Sequence, residues 1–405
     1  MYENGKNILI NNTCFSPKKP LIIAELGTSH NGDIKKAKLM IDAAADAGAE
    51  CAKFQIVYAD EILHPNTGEV PLPGGNIRLY DKFKSLELKP EFYLEIKEHA
   101  ESKGLLFLCT PFGPKSASIL KELNPKMVKI ASPELNYTSL LEEIAGWNLP
   151  VLLSSGVSRL SDIEQAIDIF KSTKSNLISN QRKPQRTNEG SQIIGSCGSW
   201  LNSWINDVIL LHCVTAYPAP ETDYNLRVLP HLSSVFGVPV GISDHSADPE
   251  LVPALAVSMG AVVIEKHFCL SKADPGLDDP IALPPDEFAQ MVKAVKFAAI
   301  NGPEETISFY SGKRGTTLIE QVLGNGEKEL APSEKANYRL TNRSIHALRD
   351  IQAGEILKKS DYAVLRTEKV LRPGLEPSWE KKIEGKTVKQ FIPAGEGIRS
   401  EDLLD

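Results

Sequence analysis

A chain of 405 residues, 42% hydrophobic and 24% charged, has an ordinary globular composition and the length for more than one domain. Its net charge of −7 is dispersed, which leaves no basic arm for nucleic acid and no polybasic patch for an anionic membrane. There is no apolar run near the ~18 residues of a membrane span, no signal-peptide layout in MYENGKNILINNTCF and no CxxC pair among six cysteines, which predicts a reduced, cytoplasmic protein.

From about residue 20 the chain alternates between short β-rich runs and helical stretches. The runs are LIIAEL (21–26), CAKFQI (51–56), LLFLCTP (105–111), MVKIAS (127–132), VLLSS (151–155), VILLHCV (208–214), PVGISDH (239–245) and VVIEKHF (262–268). They are nearly continuous in apolar residues, as strands buried on both faces are. KKAKLMIDAAADAG, PEFYLEIKEHAESKG, SDIEQAIDIF, ELVPALAVSMG and PDEFAQMVKAVKFAA read as helices between them. Eight such units in roughly 280 residues predict an α/β protein of the (β/α)8 TIM-barrel class. The rival, a doubly wound open sheet, more often has a glycine-rich phosphate turn after its first strand; here that turn reads GTSHNGD.

Residues 172–206 are rich in Ser, Asn, Gln and Gly and read as a polar insertion on the bottom face of the barrel, with Trp200 and Trp204 on a short local helix. Residues 1–300 thus make the barrel domain, and 301–338 a polar linker with some helix. From 339 to 405 the pattern changes to short β-like pieces with glycine turns (RSIHAL, DIQAGEIL, DYAVLR, KTVKQFIPAGEGI), a small second domain.

In a barrel of this kind the C-terminal strand ends face the active site. Here nearly all of them carry polar residues: Glu25, Lys53, Gln55, Thr110, Lys129, Ser132, Ser154, Ser155, His212, Thr215, Ser243, Asp244, His245, Glu265, Lys266 and His267, with Glu134 and Tyr217 just beyond. Two lysines inside apolar runs, with Thr110, Ser132, Ser154 and Ser243, suit a phosphate and carboxylate cradle. The alternative is that a lysine pairs with Glu25 or Glu265 or extends its head to water. His245 and His267 end adjacent strands and suit a catalytic divalent metal with open positions. On spacing alone a hydrogen-bonded core histidine is the simpler reading, and His212 is an alternative ligand.

The ordered motifs IIAELGTSHNGD, AGAECAKFQ, CTPFGPKSA, VKIASPELN, LLSSGVS, LLHCVTAYPAP, GISDHS and GAVVIEKHF resemble those of the bacterial sialic acid (N-acylneuraminate) synthase family. That family includes legionaminic and pseudaminic acid synthases and relatives in spore-coat polysaccharide synthesis. The tail, with NRSIHALRDIQAGEIL, LRPGLEP and GKTVKQFIPAGEGI, resembles the family's antifreeze-like β-clip domain. The resemblance implies a metal-dependent condensation of phosphoenolpyruvate with an N-acyl-mannosamine-type sugar, giving a nine-carbon 2-keto acid and phosphate. Other phosphoenolpyruvate-condensing keto-sugar-acid synthases, or a non-catalytic sugar-binding relative, are the alternatives.

Carried over by motif, His245 and His267 hold the metal, most simply Mn²⁺ with Mg²⁺ or Co²⁺ as alternatives, and His212 becomes a supporting residue. Lys53, Thr110, Lys129, Ser132, Ser154 and Ser243 match phosphoenolpyruvate-binding positions. Glu25, Glu134, Tyr217 and Asp278 match positions that handle the sugar and the reacting water. The resemblance also implies a domain-swapped homodimer, in which the small domain gives an arginine to its partner's sugar site: Arg366 by strand position, with Arg372 of RPG as the other candidate. This chain departs from the family in having Thr367 after that arginine, Thr215 before the site tyrosine segment, Gly113 after Phe112 and PGLDDP near the eighth loop. These departures bear on which sugar is used.

Overall fold

The computed structural model describes residues 7–72, 75–181 and 208–404. A hairpin of β1 (Ile8–Ile10) and β2 (Thr13–Phe15) precedes β3 (Leu21–Gly27) and β4 (Cys51–Ile56). A second hairpin, β5 (Glu69–Leu72) with β6 (Gly75–Arg78), leads to β7 (Leu106–Pro111), β8 (Val128–Ile130) and β9 (Val151–Ser154). Then come β10 (Val208–Cys213), β11 (Val240–Asp244) and β12 (Val263–His267). The large sheet is parallel and runs β7-β4-β3-β12-β11-β10-β9-β8, with β7 and β8 side by side to close the ring. All eight apolar runs supply one strand each, so the (β/α)8 barrel expected from the sequence is the fold found.

Helices follow the strands and cover the ring. The helix Leu251–Ser258 is buried at every position, because it lies between the sheet and the long helix Pro285–Arg314. Its sequence, LVPALAVS, is apolar all round, as a helix with no solvent face must be. The long helix bends at Gly302, whose φ is 79°, just before Pro303 removes a backbone donor. The segment read as an insertion at 172–206 differs in part: the helix Leu160–Gln181 continues through its first ten residues. Its remainder, with Trp200 and Trp204, lies outside the described residues.

Strand parity sorts the side chains. Leu21, Ile23, Cys51, Leu108, Leu152, Ile209, Leu211 and Val263 pack together inside the barrel with Ile8, Ile10 and Phe15 of the first hairpin. That hairpin plugs the N-terminal end of the ring. The opposite parity, including Ile22, Ala52, Leu210 and Ile264, packs on the helices. At Gly241 a Cβ would meet the Val263 carbonyl oxygen at 2.5 Å, so the close approach of β11 to β12 requires glycine.

In the second domain β13 (Arg343–Ala347) pairs antiparallel with β14 (Tyr362–Arg366), and Arg343 stands directly opposite Arg366. This end of the pair is seated on the barrel. The Asn136 amide donates to the Arg343 carbonyl at 2.9 Å, and the Arg366 N–H donates to the Ile62 carbonyl at 2.9 Å.

Candidate active site

The C-terminal mouth of the ring opens into a cavity of about 490 Å³. Glu25, Lys53, Thr110, Lys129, Ser132 and Ser154 line its floor, and Ser243, His245, Glu265 and His267 one side. Thr215, Tyr217 and Asp278 come from loops, and Arg366, Glu368, Lys369 and Val370 form a roof from the second domain. The structure therefore brings most of the residues singled out in the sequence to one cavity.

Glu134 is one exception. Its side chain is wholly buried and does not line the cavity. Its Oε1 accepts from Arg343 Nε at 2.9 Å and from Arg366 Nη2 at 2.6 Å. Its contact with the cavity runs through Arg366, which is a positioning role. Arg343, which sequence reasoning missed, also donates to the Phe112 carbonyl at 2.8 Å and the Val364 carbonyl at 3.2 Å.

His212 is a correction. It was read as a supporting site residue, but the alternation of β10 turns it outward while Cys213 faces the cavity. Its Nε2 meets the Tyr224 carbonyl at 2.7 Å. Asp244 and Lys266 share this outward parity and pair at 2.6 Å, and the Lys266 ammonium also donates to the Ser246 carbonyl at 2.6 Å. The His245 N–H donates to the Tyr224 hydroxyl at 2.7 Å. These contacts brace the two histidine-bearing strand ends from behind.

The floor holds two lysines and two carboxylates. Lys53 Nζ lies 2.7 Å from Glu25 and 3.4 Å from Glu265, and Lys129 Nζ lies 3.8 Å from Glu265. Burial alone would lower Lys53, but Glu25 and then Glu265 overcome it and raise it. For Lys129 burial prevails over Glu265, and its ammonium is left under-compensated. Burial opposes ionisation of Glu265, yet Lys129 and Lys53 bring it down to about 2. The Thr110 and Ser154 hydroxyls are buried with no hydrogen-bond partner among the described residues. Unused hydroxyls beside an under-compensated lysine are the lining an oxyanion needs.

His245 and His267 face each other with ring centroids 5.4 Å apart. His245 Nδ1 meets the Val214 carbonyl at 3.0 Å, which leaves Nε2 as the free lone pair, 3.4 Å from the Tyr217 hydroxyl. His267 is lowered to about 3 by burial and by His245, so its imidazole is neutral. Asp278 Oδ2 lies 3.8 Å from His267 Nδ1, and burial raises its carboxyl. Burial opposes protonation of His245, but the neighbouring Cys213 outweighs it and raises the imidazole. Among the described residues no three His, Cys, Asp or Glu side chains form a ready-made metal cluster. Two imidazoles with a carboxylate nearby still fit a divalent ion that keeps open positions for a ligand.

Above the floor the wall becomes apolar. Val57, Ile62, Val70, Leu79 and Phe112 belong to one cluster built by the second hairpin and the helix Leu79–Ser85. The Arg366 guanidinium lies over the Phe112 ring at 5.4 Å. The resemblance led to the expectation that this arginine serves a partner's barrel; within the single chain described here it reaches its own. Arg372 is elsewhere, paired with Asp402 at 2.9 Å, so of the two candidates only Arg366 is at the cavity.

A ring of inward polar strand ends under a second domain is the architecture of a barrel enzyme's active site. Residues 40–302 match the NeuB family and residues 342–404 the SAF domain. The chain belongs to the NeuB family. It is 32% identical to the N,N'-diacetyllegionaminic acid synthase of Legionella pneumophila over 96% of this chain and 95% of that one. It is also 32% identical to the spore coat polysaccharide biosynthesis protein SpsE of Bacillus subtilis, over 98% and 96%. The SpsE crystal structure superposes with a TM-score of 0.76 at 30% identity, covering 99% of both chains. No helix among the described residues is long and apolar enough to cross a membrane.

Proposed function

We propose that this protein condenses phosphoenolpyruvate with an N-acyl-mannosamine-type sugar to a nine-carbon nonulosonic acid and phosphate. The observation that carries the reading is the floor: an under-compensated Lys129 beside Lys53, with the Thr110 and Ser154 hydroxyls unused. A phosphate and a carboxylate on one small molecule would take up those donors, with Ser132 and Ser243 at the edge. The names of the relatives, legionaminic acid, pseudaminic acid and N-acetylneuraminate-9-phosphate synthases among them, agree with it.

Held there, the enol ether presents C3 toward the side where His245 and His267 stand. A divalent ion, most simply Mn²⁺, would be held by these two imidazoles and would polarise the acceptor aldehyde as a Lewis acid. The new bond joins C3 to the aldehyde carbon. Water then adds at C2, and the C–O bond to the phosphate breaks to leave the 2-keto acid. Glu25, within 2.6 Å of the Gln55 amide and inside the cavity, is placed to orient that water and accept its proton. Lys53 and Lys129 carry the charge of the departing phosphate. Tyr217, Asp278 and Arg366 surround the acceptor.

We further propose that two copies exchange their small domains, since an exchange keeps every contact seen between Arg366 and the barrel. The test of the activity is direct. Protein with Mn²⁺, phosphoenolpyruvate and a panel of N-acyl hexosamines is expected to release phosphate with at least one sugar. Tight phosphoenolpyruvate binding without release from any of them would instead mark a binding protein.

A further inference from the structure

Arg343, Glu134, Arg366 and Glu368 form a row of alternating charge that runs from the buried domain interface to the cavity. Arg366 commits Nε and Nη2 to Glu134. Its remaining nitrogen, Nη1, lies 3.9 Å from Glu368 Oε1, outside hydrogen-bond range. The row thus ends on a carboxylate that lines the cavity, is 15% exposed and has unused lone pairs.

The backbone takes trouble to put it there. Glu368 and Lys369 have φ of 47° and 64°, two successive non-glycine residues in the left-handed region. Such geometry persists where the surroundings over-determine it, and it concentrates at ligand clamps. Thr367 fixes the turn: its hydroxyl accepts from the Lys369 N–H at 3.0 Å and donates to the Leu340 carbonyl. Two cations are near. Arg366 is occupied by Glu134, and Lys369 stands exposed at the rim. Phe112 lies against Arg366, and Ile62 and Phe112 line the same cavity as Glu368, so part of the surroundings is apolar. Burial raises the Glu368 carboxyl. A carboxylate in such a place accepts readily from O–H or N–H groups and repels a second anion strongly.

We propose that Glu368 is a specificity-determining residue: it accepts a hydrogen bond from a hydroxyl or amide N–H of an uncharged acceptor sugar and rejects acceptors that carry phosphate. This rests on the acceptor reading above, because only a sugar beneath the roof would meet it. The test compares wild type with Glu368→Gln, an isosteric change, on an N-acyl hexosamine and its 6-phosphate, following loss of phosphoenolpyruvate in the presence of Mn²⁺. Wild type is expected to favour the neutral sugar in kcat/KM by roughly a hundredfold. Glu368→Gln is expected to narrow that preference by roughly tenfold and to raise the acceptor KM, with the phosphoenolpyruvate KM unchanged. A preference and an acceptor KM that stay as in wild type, or a wild type that favours the phosphorylated sugar, would overturn the proposal. If wild type consumes phosphoenolpyruvate with neither sugar, the acceptor reading fails, and binding of the two unreactive alditols, measured by calorimetry, decides this one. Tighter binding of the neutral alditol, weakened in Glu368→Gln, upholds it; equal binding of both, or binding of neither, overturns it. Melting temperatures of Glu368→Gln and Glu368→Ala exclude a folding defect as the cause.

Discussion

Glu134 and Arg343 meet at 2.8 Å with neither side chain exposed to solvent, although 209 residues separate them. A buried pair contributes little against an apolar replacement of both partners, but losing one partner leaves a stranded charge. Glu134→Leu strands two guanidinium groups and is expected to lower the free energy of unfolding by about 3–5 kcal/mol in urea titrations. A change under about 1 kcal/mol would show that the arginines find water instead.

Lys53 is bound by two carboxylates, whereas Lys129 has one, Glu265 at 3.8 Å, and donates to the Ile130 carbonyl at 3.1 Å. Both Lys53→Met and Lys129→Met are expected to weaken phosphoenolpyruvate binding by roughly a hundredfold in calorimetry. Their stabilities should differ. Lys53→Met takes from Glu25 its ammonium partner and leaves Glu265 only the more distant Lys129, and should unfold at markedly lower denaturant. Lys129→Met removes a cation that burial already disfavours and should cost less.

Removal of divalent metal by a chelator is expected to abolish turnover, with Mn²⁺ restoring it. His267→Ala is expected to be inactive while its circular dichroism and melting stay near wild type. Wild-type-like rates in that variant would sink the assignment of the two imidazoles.

Domain exchange has its own signature. Arg366→Ala and His267→Ala, each inactive, would be unfolded and refolded together. In an exchanged dimer one site of each mixed pair is intact, so about a quarter of wild-type activity should return. No recovery would mean that each barrel is roofed by its own chain.

His346 is buried between the Ser344 hydroxyl, at 2.8 Å, and the Gly395 carbonyl, at 2.7 Å. Burial lowers it from 6.5 to about 4. The unfolded chain therefore takes up a proton first as pH falls. The stability that His346 confers is whole above about 6.5 and is lost toward about 4, with a slope of up to ~1.4 kcal/mol per pH unit. Unfolding free energies measured at pH 7 and pH 5 should diverge less in His346→Gln than in wild type. Part of the slope should remain, because His30 and His212 are lowered by burial as well, to about 4 and about 3.

The eight strands were legible because buried parallel strands leave continuous runs of apolar and β-branched residues. The site was legible because lysine, glutamate and serine are expensive inside such runs. What the runs alone did not separate was inward from outward. Counting in twos from Ser243 and Glu265 would have placed Asp244 and Lys266 outside, whereas β10 offered no inward polar residue from which to sort His212 and Cys213. Arg343 and Glu368 carried no local signal at all. The first owes its place to a strand register opposite Arg366, the second to a left-handed turn, and both to docking between segments some 200 residues apart in the chain.

The first hairpin gives the barrel a stopper. With Ile8, Ile10 and Phe15 packed into its base, the barrel is a cup and not a pipe, and traffic passes the rim in both directions. Lys53 and Lys129 lie at the bottom of that cup, while Arg366 and Glu368 lie across the top. A ligand held by the lysines must enter before one held beneath the roof, and its remnant must wait for the upper one to leave. The deepest guest is the first to arrive and the last to go.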